Sequence, residues 1–290
     1  MCLKLWLPTT EGVVSKSSEE SLTFKYEIAL KTKSFEQFSE EVRRNIDDNL
    51  SQSPFDVRNS LQQLLLPDEE YINTHVLELY INKPEIQTLL SQYFSNTQNA
   101  FELCAGLLTN THHARVSYRA IRDINFRLQS TNPEFQEEEC PRIREEFKMF
   151  IERENPFGQA ADFDDRCNSL EQLNQLPELR PENKPMFFWV AQKQSAQLVA
   201  AGRGIYVLKN HLRTTRMLVA RLYDEVEHIK TLMRICHARE NEVYPLQQVG
   251  ILLEKNDTKF GRTLDEIEEQ GCLCLHNINR ARMLLLQIHR

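Results

Sequence analysis

Glycine is scarce in this chain, at 8 of 290 residues, and no apolar run reaches the length needed to cross a membrane. Few glycines leave few sites for tight hairpin turns, so an all-helical chain fits the composition better than a sheet. Near the proline-rich stretch 177–185 the longest apolar run is Met186–Ala191. A spanning helix needs about 20 mostly apolar residues. The sequence therefore predicts no transmembrane helix.

The 7 cysteines are an odd number, which argues against a complete disulfide framework. Cys104, Cys236 and Cys274 lie on apolar helical faces, where free buried thiols in a reducing compartment are the simplest explanation. The segment Met1–Leu7 is too short for a signal peptide, and Cys2 occupies the position where N-myristoylation requires glycine. We therefore expect a cytoplasmic protein, or one that is peripheral at the cytosolic face of the plasma membrane.

Three stretches carry apolar or small residues at alternating steps of three and four. They run over 86–128, 205–236 and 264–288. This period keeps one face of a long helix against a partner helix. We therefore predict an all-α fold, an elongated antiparallel helical bundle with coiled-coil-like long helices.

The predicted organisation divides the chain into four regions. They are a disordered N-terminus over 1–18, an N-terminal helical region over 19–176 that includes a long helix over 84–130, a linker over 177–185, and a C-terminal helical region over 186–290 that packs on the same bundle. Within the last region we expect a long helix over 187–239, a short helix over 246–253 and a final helix that is capped by Thr263. Asn279, Arg280 and Arg282 lie among apolar seam residues, which predicts that a polar group packs there and fixes the helix register.

The net charge of -7 is unevenly distributed. Residues 131–182 hold 14 acidic and 6 basic side chains, a net charge of -8, whereas residues 184–239 hold 10 basic and 3 acidic side chains. Five basic residues of the second segment form a stripe beside its apolar seam. This basic stripe consists of Lys209, Arg213, Arg216, Lys230 and Arg234.

Two interpretations of the basic stripe remain open. It can pair with the acidic segment 131–182 of the same chain, or it can contact an anionic membrane surface or an acidic protein partner. Nucleic acid is a weaker candidate, because no basic motif interleaved with aromatic residues accompanies the stripe. We therefore expect no nucleic-acid partner and treat the stripe as a candidate anionic-surface contact.

Support for catalytic chemistry is weak. Glu225 and His228 form one Glu-x-x-His pair, but di-iron bundles need a second such pair and further glutamates. His112 and His113 lie on a long amphipathic helix, where an ordinary surface or core position is the simpler interpretation. No glycine-rich phosphate loop, nucleophile elbow or His-Glu-x-x-His motif occurs. We therefore expect no enzyme activity, no metal and no cofactor; a metal-dependent helical-bundle enzyme that uses Glu225 and His228 is the alternative.

The tripeptide Asn155–Phe157 also allows two interpretations. Asn-Pro-Phe is a short bait for adaptor domains of endocytosis, but the same residues also form an ordinary helix break. The plain interpretation predicts that Phe157 packs on the bundle.

Several segments together resemble the plant uncharacterised protein family 0496, integrin-related proteins with long helices. In chain order they are Tyr26–Ser34, Leu66–Asp68, Leu89–Phe94, Cys104–Leu108, Ala114–Arg122, Asn155–Phe157, Leu218–His228 and Glu268–Arg282. The resemblance implies a helical protein without established catalytic activity that associates with membranes. Relatives commonly carry an apolar stretch of spanning length after the linker, whereas polar residues interrupt 186–204 here.

Together these observations lead to one expectation about function. We expect a non-catalytic interaction or scaffold protein that acts in the cytosol or at the plasma membrane and binds a protein partner that the residues do not identify. A self-assembling structural coiled coil is a further alternative, in which the chain associates with copies of itself. Metal content would distinguish the enzyme alternative, and concentration-dependent sedimentation would distinguish the self-assembling one.

Overall fold

The computed structural model describes residues 33–49, 54–78, 84–128, 133–158, 160–175, 192–238 and 244–286. Within these ranges the chain forms α-helices and no strand, which confirms the predicted all-α fold. The helices are α1 (Lys33–Asp48), α2 (Pro54–Gln62), α3 (Glu69–Ile72), α4 (Pro84–Leu128), α5 (Pro133–Glu152), α6 (Ala160–Gln175), α7 (Gln192–His237) and α8 (Tyr244–Leu286). The predicted disorder over 1–18 and the predicted linker over 177–185 lie outside the described residues.

Three long helices, α4, α7 and α8, contain 45, 46 and 43 residues. At ~1.5 Å per residue each of them is about 65–70 Å long. Helix α8 runs antiparallel to α7, because Asn277 Nδ2 donates to Gly204 O at 2.9 Å whereas Lys259 Nζ lies 3.9 Å from Glu225 Oε2. The two helices are therefore in contact over several turns.

Helix α8 also runs antiparallel to α4. Arg282 binds Phe94 O, and Arg115 binds Asp265 Oδ1 at 2.8 Å further along both helices. Between these points Gly271 lets α8 approach α4 closely, since a Cβ atom at this position would lie 2.8 Å from Cδ2 of Leu108. Helix α8 is thus the element that both other long helices pack against.

The three predicted seams are the buried faces of the long helices. Every seam position with a described side chain is buried, over 90–121 in α4, 205–236 in α7 and 264–285 in α8. The cysteines on these seams, Cys104, Cys236 and Cys274, are buried. One hydrophobic cluster extends from Val42 in α1 to Leu285 in α8 and includes residues of every helix.

The predicted division of the C-terminal segment into two helices is wrong. Residues 246–253 and the final helix belong to one continuous helix, α8, and Thr263 lies inside it. The Thr263 hydroxyl donates to Lys259 O at 3.0 Å, so it bonds within the helix and does not cap a helix start. Leu253 and Phe260, which flank the polar residues 254–259, are both buried. Their packing on the bundle stabilises the helix across this polar segment. Helix α3 ends at Ile72 and is followed by a π-helical turn, Asn73–Leu77.

A buried arginine joins α8 to α4 and to the segment before α3. Arg282 is 0% exposed, and its Nη1 donates to Phe94 O at 2.9 Å and to Thr97 Oγ1 at 3.0 Å. Its Nη2 donates to Pro67 O at 2.8 Å, and the guanidinium carbon lies 5.1 Å from the centre of the Phe94 ring. Burial lowers the pKa of Arg282 to about 10, so the group stays protonated at neutral pH.

Asn279 supports the same segment from the neighbouring turn of α8. Its side-chain oxygen accepts a hydrogen bond from Leu66 N at 3.0 Å, and its amide nitrogen donates to Leu64 O at 2.7 Å. The predicted polar packing at this seam is therefore present, and Asn279 and Arg282 supply it. These directional bonds have partners at only one helix register, so they select the observed alignment.

The histidine of α8 that contacts α1 makes folding sensitive to pH. The ring of His276 lies 5.7 Å from the ring of Phe35 and 5.6 Å from that of Phe38. Burial, and then the charge of Arg280, lowers the pKa of His276 from 6.5 to about 4. Between these two values the unfolded chain binds a proton that the folded chain does not bind. This contribution to stability is therefore complete above pH 6.5 and is lost as the pH falls through about 4.

We expect the free energy of unfolding to fall by about 3 kcal/mol between pH 7 and pH 4 on account of this one group. The variant His276→Phe keeps the ring contacts and removes the titration, so its stability should depend less on pH in that window. Urea unfolding at both pH values measures the difference. Parallel pH dependence in the two proteins would show that His276 does not carry the effect.

Candidate anionic-surface site

The first three members of the basic stripe contact the acidic helix α6. Lys209 Nζ lies 2.6 Å from Glu171 Oε1, and Arg213 Nη2 lies 4.0 Å from Glu171 Oε2. One helical turn further along α7, Arg216 Nη2 lies 2.9 Å from Asp164 Oδ2. The order of these pairs shows that α6 runs antiparallel to α7. The structure thus brings this part of the stripe against the acidic segment of the same chain.

The ion pairs between α6 and α7 are close but weakly stabilising. The hydrogen bond from Lys209, and then its charge, lowers the pKa of Glu171, so this carboxylate stays ionised at neutral pH. An exposed ion pair contributes about 0–1 kcal/mol, whereas an anionic membrane offers about 1 kcal/mol for each basic group near its surface. An anionic surface can therefore compete with Asp164 and Glu171 for the arginines.

Of the last two members of the stripe, Lys230 contacts the turn between α5 and α6. Lys230 Nζ donates to the backbone oxygen of Arg153 and lies 3.7 Å from Glu227 Oε1. Arg234 Nη2 lies 3.9 Å from the other carboxylate oxygen of Glu227. Glu227 thus shares its charge between the two basic residues.

Side-chain exposure separates the lysines of the stripe from its arginines. The side chains of Lys209 and Lys230 are 11% and 5% exposed, whereas those of Arg213, Arg216 and Arg234 are 60%, 48% and 48% exposed. A flat surface can reach only the second group. The lysines hold α7 against its neighbours, and the arginines are the part of the predicted site that an external anion can contact.

The structure adds an outer face of α7 that the stripe did not include. Arg203 and Arg221 are exposed on it, together with Tyr206 at 49% and Met217 at 73% exposure. No acidic residue occurs in α7 before Asp224, so residues 192–223 carry only positive charge. The absence of acidic residues from these turns could have indicated this face from the sequence. The basic stripe was defined only by residues next to the apolar seam and therefore did not include it.

The Asn155–Phe157 turn fastens α5 and α6 to α7. Phe157 is 1% exposed, which agrees with the plain interpretation of this tripeptide. Asn155 Oδ1 accepts from Phe157 N at 3.1 Å, while Asn155 Nδ2 donates to Tyr223 O and to Glu227 Oε1, both at 3.1 Å. A bait peptide must offer its Phe to a partner, and this Phe is already inside the bundle.

The Glu-x-x-His pair does not form a shared site among the described residues. Glu225 is buried beside Lys259, whereas His228 is exposed. In the described ranges no group of three or more His, Cys, Asp or Glu side chains is placed to hold a metal ion. The rings of His112 and His113 lie 6.4 Å apart, and burial lowers the pKa of His112.

Comparison with known proteins places the chain among plant relatives. A UPF0496 protein of Arabidopsis thaliana is 37% identical over 95 residues, which are 33% of this chain and 24% of the relative. A UPF0496 protein of rice, Oryza sativa subsp. indica, is 38% identical over 93 residues, 32% of this chain and 23% of the relative. The curated homologues of this chain are UPF0496 proteins. A second Arabidopsis UPF0496 protein is 22% identical over 284 residues, 78% of this chain and 79% of the relative.

These findings confirm the resemblance to the plant uncharacterised family 0496. The matched stretch spans about a quarter of the length of the first two UPF0496 relatives. No family model and no solved structure matches the chain. The names of these UPF0496 relatives describe no enzymatic activity.

Among the helices in the described part of the chain, none combines the length and the apolarity that a transmembrane span requires.

Proposed function

We propose that this UPF0496 relative is a non-catalytic interaction protein that binds an anionic membrane surface through α7, at the cytosolic face of the plasma membrane. The observation that carries the proposal is the acid-free segment 192–223, in which Arg203, Arg213 and Arg221 are exposed on one outer face. Basic groups on one helix face attract anionic lipid without a dedicated pocket. The bound protein would act as a scaffold for a further protein partner.

Two exposed apolar side chains support a lipid surface over a purely electrostatic partner. Tyr206 and Met217 lie among the arginines of the outer face and are 49% and 73% exposed. Aromatic and apolar side chains between basic residues are typical of helices that lie in the interface plane of a bilayer. The resemblance to UPF0496 proteins, which implies membrane association, agrees with this choice.

Helix α6 would oppose membrane binding without leaving the bundle. Its carboxylates bind Lys209 and Arg216, but its apolar face is held in the core, where Phe163 and Leu170 are both 0% exposed. Removing the whole helix would therefore expose apolar core surface as well as basic side chains. Local exchange of ion pairs, with α6 in place, is the mechanism that this arrangement supports.

A charge-reversal variant tests the proposal. Arg213→Glu/Arg216→Glu should weaken binding to phosphatidylcholine vesicles that contain phosphatidylserine at least about thirtyfold, because two basic groups contribute about 1 kcal/mol each. Co-sedimentation of the full chain with the vesicles at low salt measures the affinity.

The matched control is Arg44→Glu/Arg119→Glu, which makes the same change in net charge at exposed positions of α1 and α4. This control should bind nearly as well as the unmodified chain. Equal loss in both variants would mean that net charge alone governs binding, and unchanged binding by the α7 variant would refute the proposed surface.

A further inference from the structure

A partly enclosed cavity of about 270 Å³ lies where α4, α7 and α8 meet the turn between α5 and α6. It is separate from the outer face of α7, because none of its lining residues belongs to the acid-free segment 192–223. Its wall combines aromatic and aliphatic side chains with polar ones, among them His113, Ser117, Arg153, Glu154 and Lys230. The cavity therefore resembles a small-molecule site in which one buried charged group lies against aromatic and branched aliphatic side chains.

Lys230 supplies that charged group. It lines the cavity and is 4% exposed, so its ammonium group is almost completely removed from solvent. The ammonium has three N–H donors, and among the described residues only the backbone oxygen of Arg153 accepts a hydrogen bond from it. The nearest carboxylate oxygen, Oε1 of Glu227, lies 3.7 Å away, beyond hydrogen-bond distance, and already accepts from Asn155.

The charges around the cavity favour an anion. Arg153 and Glu154 are both exposed at the edge of the cavity, so their opposite charges compensate each other in solvent. Glu227 is shared with Arg234. Among the residues that line the cavity, Lys230 is therefore the one whose charged group is buried; Glu225 is also buried but does not line the cavity. A buried ammonium with two unused donors binds an anion strongly.

The apolar wall defines the rest of the ligand. Phe260 stacks on Tyr118, with ring centres 4.2 Å apart, and both rings line the cavity together with Phe150. The Tyr118 hydroxyl donates its hydrogen bond to Leu253 O at 3.3 Å, so it does not compete with Lys230 as a donor to the ligand. A cavity of about 150 Å³ can hold benzene, so the volume here holds a ring of that size with a short polar arm.

We propose that this cavity binds a small monocarboxylate with an aromatic or branched aliphatic body. The carboxylate accepts hydrogen bonds from Lys230, and the body packs against Phe150 and the Tyr118–Phe260 pair. This assignment is independent of membrane binding. It also gives Lys230, whose position on the stripe suggested a surface role, a role inside the bundle.

Ligand-observed saturation-transfer NMR on the full chain tests the proposal, with benzoate as the probe and benzyl alcohol as the neutral analogue. Benzoate should bind saturably and at least about tenfold more tightly than benzyl alcohol, because only the carboxylate forms charge-assisted hydrogen bonds. Lys230→Met, which keeps an apolar side chain of similar length, should reduce benzoate binding to the level of the alcohol.

Two further variants locate the effect. Lys209→Met removes the other largely buried lysine of α7, far from the cavity, and should leave benzoate binding unchanged. Ser117→Phe fills the cavity from a half-buried position on α4 and should abolish binding of both probes while vesicle binding remains. No saturable benzoate signal, equal binding of the two probes, or unaltered benzoate binding by Lys230→Met or Ser117→Phe would overturn the proposal.

Discussion

Replacement of Arg282 by alanine should lower the free energy of unfolding by roughly 3–5 kcal/mol. The change leaves a large cavity between α4 and α8 and removes the hydrogen bonds to Phe94 O, Thr97 Oγ1 and Pro67 O. Loss of a desolvated positive charge offsets part of this cost, but a cavity of arginine size and three lost charge-assisted bonds outweigh it. Urea unfolding followed by circular dichroism measures the change.

Two further substitutions separate packing from hydrogen bonding at this position. Arg282→Met restores much of the buried volume without the donors, so its stability should lie between that of the alanine variant and that of the unmodified chain. Arg262→Ala, at an exposed position of the same helix, should change stability by no more than about 0.5 kcal/mol. An alanine variant within about 1 kcal/mol of the unmodified chain would mean that Arg282 does not hold α4 and α8 together.

Reversal of the α6 carboxylates should strengthen vesicle binding. In Asp164→Lys/Glu171→Lys the partners of Arg216 and Arg213 are lost, and both arginines become available to anionic lipid. Since each exposed ion pair contributes about 0–1 kcal/mol, loss of the two competing pairs should raise the affinity for vesicles that contain phosphatidylserine up to about thirtyfold. Vesicle flotation at fixed ionic strength measures this increase.

The same helix offers a matched control for this change. Asp162→Lys/Asp165→Lys adds the same charge to α6 at exposed positions that pair with no α7 residue in the described structure. Its affinity should rise only through the general increase in positive charge. If the two double variants gain equally, the α6 carboxylates do not compete with lipid for the arginines.

Much of the fold could be predicted because burial repeats with helical period. In α7 every seam position from Ile205 to Cys236 is buried, so the sequence pattern and the packing coincide there. The continuity of α8 was missed because residues 254–259 are all polar and Asn256, Asp257 and Thr258 are weak helix formers. The flanking residues Leu253 and Phe260 are nevertheless both buried. Packing of Tyr118 against Phe260 supplies the tertiary contact that local propensity lacks there.

The candidate site could be predicted only in part, because the net charge of a segment does not show which of its side chains lie close to those of another segment. The excess of acids over 131–182 indicated a partner for the stripe, and Asp164 and Glu171 lie against it. Which basic residues remain exposed depends on where α6 and the Asn155–Phe157 turn dock on α7, and no local pattern encodes that. The cavity beside Lys230 likewise arises from four elements that are distant in sequence.

The salt dependence of vesicle binding by the unmodified chain tests the central claim most directly. Screening acts over about 10 Å at moderate ionic strength, so the affinity for phosphatidylserine-containing vesicles should fall steeply as salt is raised. Vesicles of phosphatidylcholine alone should bind weakly at every salt concentration. Binding that is insensitive to salt, or equal for the two kinds of vesicle, would contradict the account of α7 as an anionic-surface helix.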